Sequence, residues 1–223
     1  IRLDECDPRL AGRRVAELLP VAPLGRVVAR HTVGMADPLT DAEIGETERL
    51  DDGLPQSLEA CIKRYGLAHL KIKVNGDLDS DLERLRAIAV IVTAASTPDF
   101  AFTLDGNEQF HDLAAFEGYW RELTSRDDLV AFFERLLFVE QPFHRDVALD
   151  DQVLAGLAEW DSRPRMIIDE SDAETDSLAR ALRLGYHGTS HKNCKGVFRG
   201  IINACLLAEM NRRDAAGGTI MSG

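Results

Sequence analysis

An α/β fold, an incomplete TIM-type (β/α) barrel with parallel strands, is what this sequence predicts, and three observations predict it. Short apolar runs alternate with amphipathic stretches of helical length along most of the chain, which implies a parallel sheet. Charged residues stand at the C-terminal ends of these runs, repeating roughly every thirty residues, the span of one strand–helix–strand unit. No glycine-rich turn follows the first run, as it would in a doubly wound nucleotide binder. Chemical residues at the ends of several different strands are the distribution of a barrel.

The elements follow in order. "GRVVARHTVG" (25–34) reads as the first strand, with a helix around "LPQSLEACIKRYG". "LAHLKIKVNGD" is the second strand, and "DLDSDLERLRAIAVIV" a helix with Asp or Ser near its N-cap. "FAFTLDGN" leads to helical "DLAAFEGYWRELT" and "DDLVAFFERL"; "LLFVEQP", closed by Pro142, leads to "DDQVLAGLAEW". "RMIIDES" precedes "TDSLARALRLG", which Gly185 ends as a C-cap does. "YHGTSHKNCKG" precedes "VFRGIINACLLAEMNRR", and "GTIMSG" opens a seventh strand, one short of a complete barrel. The expected organisation is an N-terminal remnant or linker at 1–24 and a barrel domain at 25–223, truncated before its last strand. The chain begins on Ile and stops as a strand begins, so a piece of a longer protein is expected.

Bulk numbers exclude several function classes. A chain of 223 residues, 45% hydrophobic and 29% charged, is an ordinary globular composition with room for a large core. A formal net charge of −12 leaves no basic balance for phosphate binding, so no nucleic-acid partner is expected. Neither a bilayer-spanning apolar run nor a signal-peptide pattern occurs, so no membrane partner is expected. Cys6, Cys61, Cys194 and Cys205 form no CxxC, which suits reduced thiols in a cytoplasm.

The chemistry begins at "LKIKV". Side chains alternate along a strand, so Lys71 and Lys73 share a face. On an edge strand they would simply meet solvent; on a buried strand they need anionic partners. Asp105, Glu140 and Asp169 each close an apolar run of four or five residues. Any one alone is accounted for as a helix cap or turn residue. Three in successive units, converging on one barrel mouth, repel one another unless a cation holds them. Oxygen ligands without His or Cys suit a hard ion, Mg²⁺ or Mn²⁺. An unrelated metal-dependent aldolase barrel would more naturally use His, and none stands at these ends.

Lys71-Ile-Lys73, Asp105-Gly-Asn107, Glu140-Gln-Pro142 and Asp169-Glu-Ser171 together resemble the barrel signature of the enolase superfamily, in its muconate-lactonizing and mandelate-racemase-like branch. Their order and spacing match over most of residues 69–200. Such sites use a Lys or His base with magnesium to stabilise an enediolate. The resemblance implies Asp105, Glu140 and Asp169 as metal ligands, Lys73 as base and Lys71 as its supporting charge. Asn107 and Glu170 become candidates on the substrate side or behind the ligands. On the sixth strand the pattern departs from the family's: Lys192 has the right residue type, His191 the right distance from Gly196, and Lys195 ranks third. A one-residue offset reverses the facing, so Lys192 and His191 cannot both point inward in a regular strand.

The implied activity is magnesium-dependent removal of the proton α to a carboxylate through an enediolate, as in a racemase or epimerase, a dehydratase or a cycloisomerase. The alternative is a catalytically silent barrel of the same ancestry, serving as an assembly or binding module. The implied partners are a small carboxylate substrate and further copies of the chain. The resemblance also implies a separate capping domain that closes the mouth and chooses the substrate, for which residues 1–24 are too few.

Overall fold

The computed structural model describes residues 2–97, 99–152, 154–213 and 218–223. Its centre is one sheet of seven strands: β1 (His31–Val33), β2 (His69–Lys73), β3 (Ala101–Asp105), β4 (Leu136–Glu140), β5 (Met166–Ile168), β6 (Gly188–Ser190) and β7 (Ile220–Ser222). Each strand lies parallel to the next, in the order of the chain. A doubly wound sheet reverses its strand order at a switch point; this one never reverses. It curls instead into a half-barrel. Among the described residues β1 and β7 do not pair, so the sheet keeps two edges.

Eight α-helices accompany it: α1 (Leu3–Cys6), α2 (Val15–Leu18), α3 (Leu58–Tyr65), α4 (Leu78–Ala94), α5 (Leu113–Thr124), α6 (Val130–Phe133), α7 (Ser177–Leu184) and α8 (Val197–Arg213), counted among the described residues. Local chemistry sets several boundaries. Ser57, Asp77 and Asp112 cap α3, α4 and α5 by accepting from backbone N–H groups at 3.2, 2.9 and 2.8 Å. Gly185 ends α7 in the left-handed region at φ 109°, where a Cβ would be strained. All four cysteines are free, and among the described residues no helix is long and apolar enough to cross a membrane.

Three expected elements differ. The first strand runs only from His31 to Val33: its pairing with β2 starts at His31–Leu70, and among the described residues none before His31 joins the sheet. "DDQVLAGLAEW" forms turns and a short 3-10 stretch, Leu157–Glu159, since Gly156 enters at φ 93° and breaks the helical path; its Val153 lies outside the described residues. "DDLVAFFERL" divides into a 3-10 turn, Asp127–Leu129, and the single turn of α6.

Alternation divides each strand into two faces. Leu70 and Ile72, Phe102 and Leu104, Val139, Met166 and Ile168 look outward into a core shared with Leu85, Ile88, Phe116 and Leu123 of the covering helices. The register Lys71–Thr103–Phe138 and Lys73–Asp105–Glu140 stacks the opposite face in rows across the interior. Arg30 braces that interior, donating to Thr103 Oγ1 at 2.7 Å and Ser222 Oγ at 2.6 Å while its guanidinium lies over the Phe138 ring. It joins β3 to β7, which have no ladder between them. The segment at 2–24 seats Leu3, Leu10 and Leu18 against Leu178, Ile202 and Leu206 of α7 and α8.

The loops after β3 and β4 touch backbone to backbone. Gly106 N–H donates to Glu140 O at 2.8 Å, and Phe110 N–H to Pro142 O at 3.0 Å. A Cβ on Gly106 would lie 2.6 Å from Pro142 Cα, so only glycine permits this approach. Gly106→Ala is expected to destabilise the protein by about 1–3 kcal/mol, the usual cost of forcing an atom into filled space, as read from urea unfolding; an unchanged midpoint would show that the loops part freely.

Candidate active site

Asp105 and Glu140 close β3 and β4, and Asp169 follows the last residue of β5. Their exposures are 3%, 0% and 2%, so none of them rests in water. A bare buried carboxylate is costly unless paired. The lysines supply the pairing. Lys71 Nζ lies 3.0 Å from Asp105 Oδ2 and 2.9 Å from Glu140 Oε2. Asp169 is gripped from the turn after β6, by Lys192 at Oδ2 and by Lys195 at Oδ1, 2.5 Å away. Three carboxylates thus meet three ammonium groups. Because β2 lies between β1 and β3, Lys71 and Lys73 occupy an interior strand, and the edge-strand reading of "LKIKV" falls away.

Burial and charge pull these groups in opposite directions. Desolvation would lower the pKa of Lys71, but Glu140 and Asp105 outweigh it and raise it. Glu140 is raised, by burial first and by Asp105 and Asp169 as well, against the pull of Lys71. Asp169 is lowered: burial opposes this, and Lys192 with Lys195 overcomes it. Lys192 is raised, with burial again opposing and Asp169 prevailing; it also feels Lys71 and Glu140, so β2 and β6 address one mouth.

The donor chemistry fits a hard divalent cation. All three acids offer oxygen, and Glu140 Oε1 is buried with no hydrogen-bond partner among the described residues. The three do not close on a single point: among the described residues no three His, Cys, Asp or Glu side chains form a cluster able to hold an ion. The lysines divide the trio, Lys71 standing between Asp105 and Glu140 while Lys192 and Lys195 hold Asp169. A cation at Asp105 and Glu140 therefore competes with the Lys71 ammonium for the same oxygens.

The remaining candidates fall as follows. Lys73 is half-buried, in register with Asp105, and among the described residues has no hydrogen-bond or ion-pair partner. His191 turns the other way from Lys192, its ring against Gly200 of α8 and Nε2 3.0 Å from Asn193 Oδ1. Asn107 donates its backbone N–H to Asp105 Oδ1 at 3.1 Å, and its own Oδ1 is buried without a hydrogen-bond partner among the described residues. Glu170 is half-buried beside a cleft bordered by Arg145, Ser171 and Arg180. Burial, and then the charges of Asp169, Asp105 and Glu108, raise its pKa.

Two supporting residues went unassigned in the sequence reading. Gln141, 1% exposed, uses its whole amide. Oε1 accepts from Asp169 N–H at 2.7 Å and Ser171 N–H at 3.2 Å, while Nε2 donates to Phe143 O at 2.7 Å and Ser171 Oγ at 2.6 Å. Its backbone sits at φ 39°, a left-handed position that a non-glycine residue holds only when its surroundings fix it. The available signal was an amide between an acid and Pro142 at a strand end. Asp81, 3% exposed, accepts from Asn75 and Gly76 N–H groups and from Tyr119 OH at 2.8 Å, framing the loop after Lys73. An acid amid the apolar face of α4 was its only signal.

With this geometry in view, comparison with solved structures finds the same barrel. N-succinyl Arg/Lys racemase from Bacillus cereus ATCC 14579 aligns at TM-score 0.57 and 20% identity, over 86% of this chain and 43% of its own. The chain shares its fold with a racemase. Dipeptide epimerase from Enterococcus faecalis V583 aligns at 0.53 and 18% identity, over 87% of this chain and 46% of its own. A mandelate racemase/muconate lactonizing enzyme from Roseiflexus sp. aligns at 0.50 and 23% identity, over 73% and 41%. The chain therefore spans less than half the length of these proteins. No family model and no curated protein matches it.

Lys71→Met leaves Asp105 and Glu140 buried without their shared cation. It is expected to destabilise the metal-free protein by about 3–5 kcal/mol, with millimolar Mg²⁺ restoring part of the loss in urea unfolding. Unfolding insensitive to both changes would mean that the two acids do not depend on a cation.

Proposed function

We propose that the chain is the barrel domain of an enolase-superfamily isomerase of the mandelate racemase/muconate lactonizing branch, which removes the proton α to the carboxylate of a small acid. One observation carries the reading: buried carboxylates stand at the ends of three consecutive strands, and lysines from β2 and from the turn after β6 flank them on both sides. The likeness to a racemase and an epimerase of the same barrel supports it.

A proton α to a carboxylate is too weakly acidic for an amine acting alone. Magnesium, or manganese, held by Asp105, Glu140 and Asp169, would supply positive charge for the second anion that develops in the enediolate. The protein's own groups do the rest. Lys73 stands in the same row as Asp105 with no competing partner among the described residues, so its amine is free to meet a substrate. A base must be uncharged to take a proton. Lys192, on the opposite flank, is available to return a proton to the other face of the planar intermediate. Two lysines on opposite flanks suit racemisation or epimerisation, in which the proton leaves and returns at one carbon. Gln141 keeps the Asp169 backbone in place, and the apposed loops of Gly106 and Pro142 keep Asp105 beside Glu140.

Deuterium wash-in across a panel of sugar acids, dipeptides and hydroxy acids tests the first step with the full-length protein. Lys73→Ala is expected to slow exchange of one stereoisomer by about 10²–10⁴ and Lys192→Ala to do the same for the other, the usual weight of a general base. Exchange of both stereoisomers surviving in Lys73→Ala would remove Lys73 from the role. Absence of Mg²⁺ binding at millimolar concentration in a folded protein would end the reading.

A further inference from the structure

We infer that Lys195 is a positioning residue, an ammonium clamp that locks the end of β5 to the end of β6 and fixes the Asp169 carboxylate; its bearing on metal binding rests on the function proposed above. The paired register of β5 and β6 stops at Ile167–Gly188 and Ile168–Thr189. One step further on, the carbonyls of Asp169 and Ser190 are both acceptors and cannot bond to one another. Lys195 Nζ donates to both, at 2.7 Å and 2.9 Å. The same nitrogen lies 2.5 Å from Asp169 Oδ1. An ammonium has three donors, and three oxygens surround this one.

The turn between β6 and α8 delivers it there. Residues Asn193–Lys195 form a 3-10 turn closed by Lys195 N–H to Lys192 O at 2.9 Å, and Gly196 leaves it at φ 110°. That turn brings Lys195 back to the strand end that Lys192 has just left. The two lysines differ in what they touch. The Lys195 side chain is 15% exposed and spans two strands, whereas that of Lys192 is 44% exposed and bonds one carboxylate oxygen. Asp169 is thereby fixed at its N–H by Gln141 and at its C=O and Oδ1 by Lys195, while the more exposed Lys192 holds Oδ2.

The test uses the full-length protein with Mg²⁺ as the only added ligand, then the best substrate from the wash-in panel. Lys195→Met is expected to weaken Mg²⁺ binding about 10–100-fold, the usual effect of removing a group that orients a metal ligand. At saturating Mg²⁺ its maximal α-proton exchange rate stays near that of the wild type. In the metal-free protein, amide hydrogen exchange across 188–192 speeds up. Lys192→Met gives the reverse pattern, with near-normal Mg²⁺ affinity and exchange of one stereoisomer lost. Where Lys195→Met does not fold, Lys195→Arg keeps the charge without the compact three-donor head and gives the same pattern at smaller size. Wild-type affinity and wild-type amide exchange in Lys195→Met would overturn the clamp. Normal Mg²⁺ binding with α-proton exchange abolished would make Lys195 a reacting group instead. If the wild type binds no Mg²⁺, the functional reading fails, and amide exchange alone decides the clamp.

Discussion

Three carboxylates with almost no access to water stand at the ends of three adjacent strands, and their need for positive charge organises everything around them. Burial resists ionising Glu140 and Asp169, and the neighbouring Asp105 and Asp169 add to the cost at Glu140. The chain answers with ammonium groups from the strands on either side, Lys71 from β2 and Lys192 with Lys195 from the β6 turn. Such an arrangement contributes little to stability compared with an apolar core of the same volume. Their gathering at one mouth is what marks the place as a candidate site.

The scaffold makes that balance possible by separating two environments. Outward strand faces feed a continuous apolar core beneath the helices, with Phe102, Leu104, Leu85 and Leu123 among its members. Inward faces carry the polar rows, and Arg30 spans the interior between Thr103 and Ser222. Parallel pairing in strict sequence order brings each strand's C-terminus to the same rim, so residues far apart in the chain share one mouth. Precision at that rim comes from loops tied to each other rather than from the strands alone. Gly106 lets two backbones touch, and Gln141 and Lys195 hold Asp169 from opposite sides. Residues away from the charged groups thus set the distances between them.

Strand order, strand faces and the identity of the charged ends were legible in the sequence. Alternation placed Lys71 and Lys73 on one face, apolar runs located β2 through β5, and acids at their ends named Asp105, Glu140 and Asp169. These are local properties, written in periods of two and in residue type, and they need no knowledge of what packs where. The helices with strong caps, α3, α4, α5 and α7, were legible for the same reason. "DDQVLAGLAEW" misled because its apolar spacing is helical while Gly156 adopts a left-handed turn that spacing does not reveal.

Tertiary structure decided what depends on partners distant in the chain. Only the assembled sheet sends Lys192 inward and His191 onto Gly200, pairs Lys71 with two acids at once, and stops β1 where β2 begins. Only close packing makes Gln141 a four-way clamp and leaves Glu140 Oε1 without a hydrogen-bond partner among the described residues. Residue types and their periodicity fix which charges can face inward. Which of them meet, and across what distance, is settled by the curvature of a sheet whose strands the chain order alone does not bend.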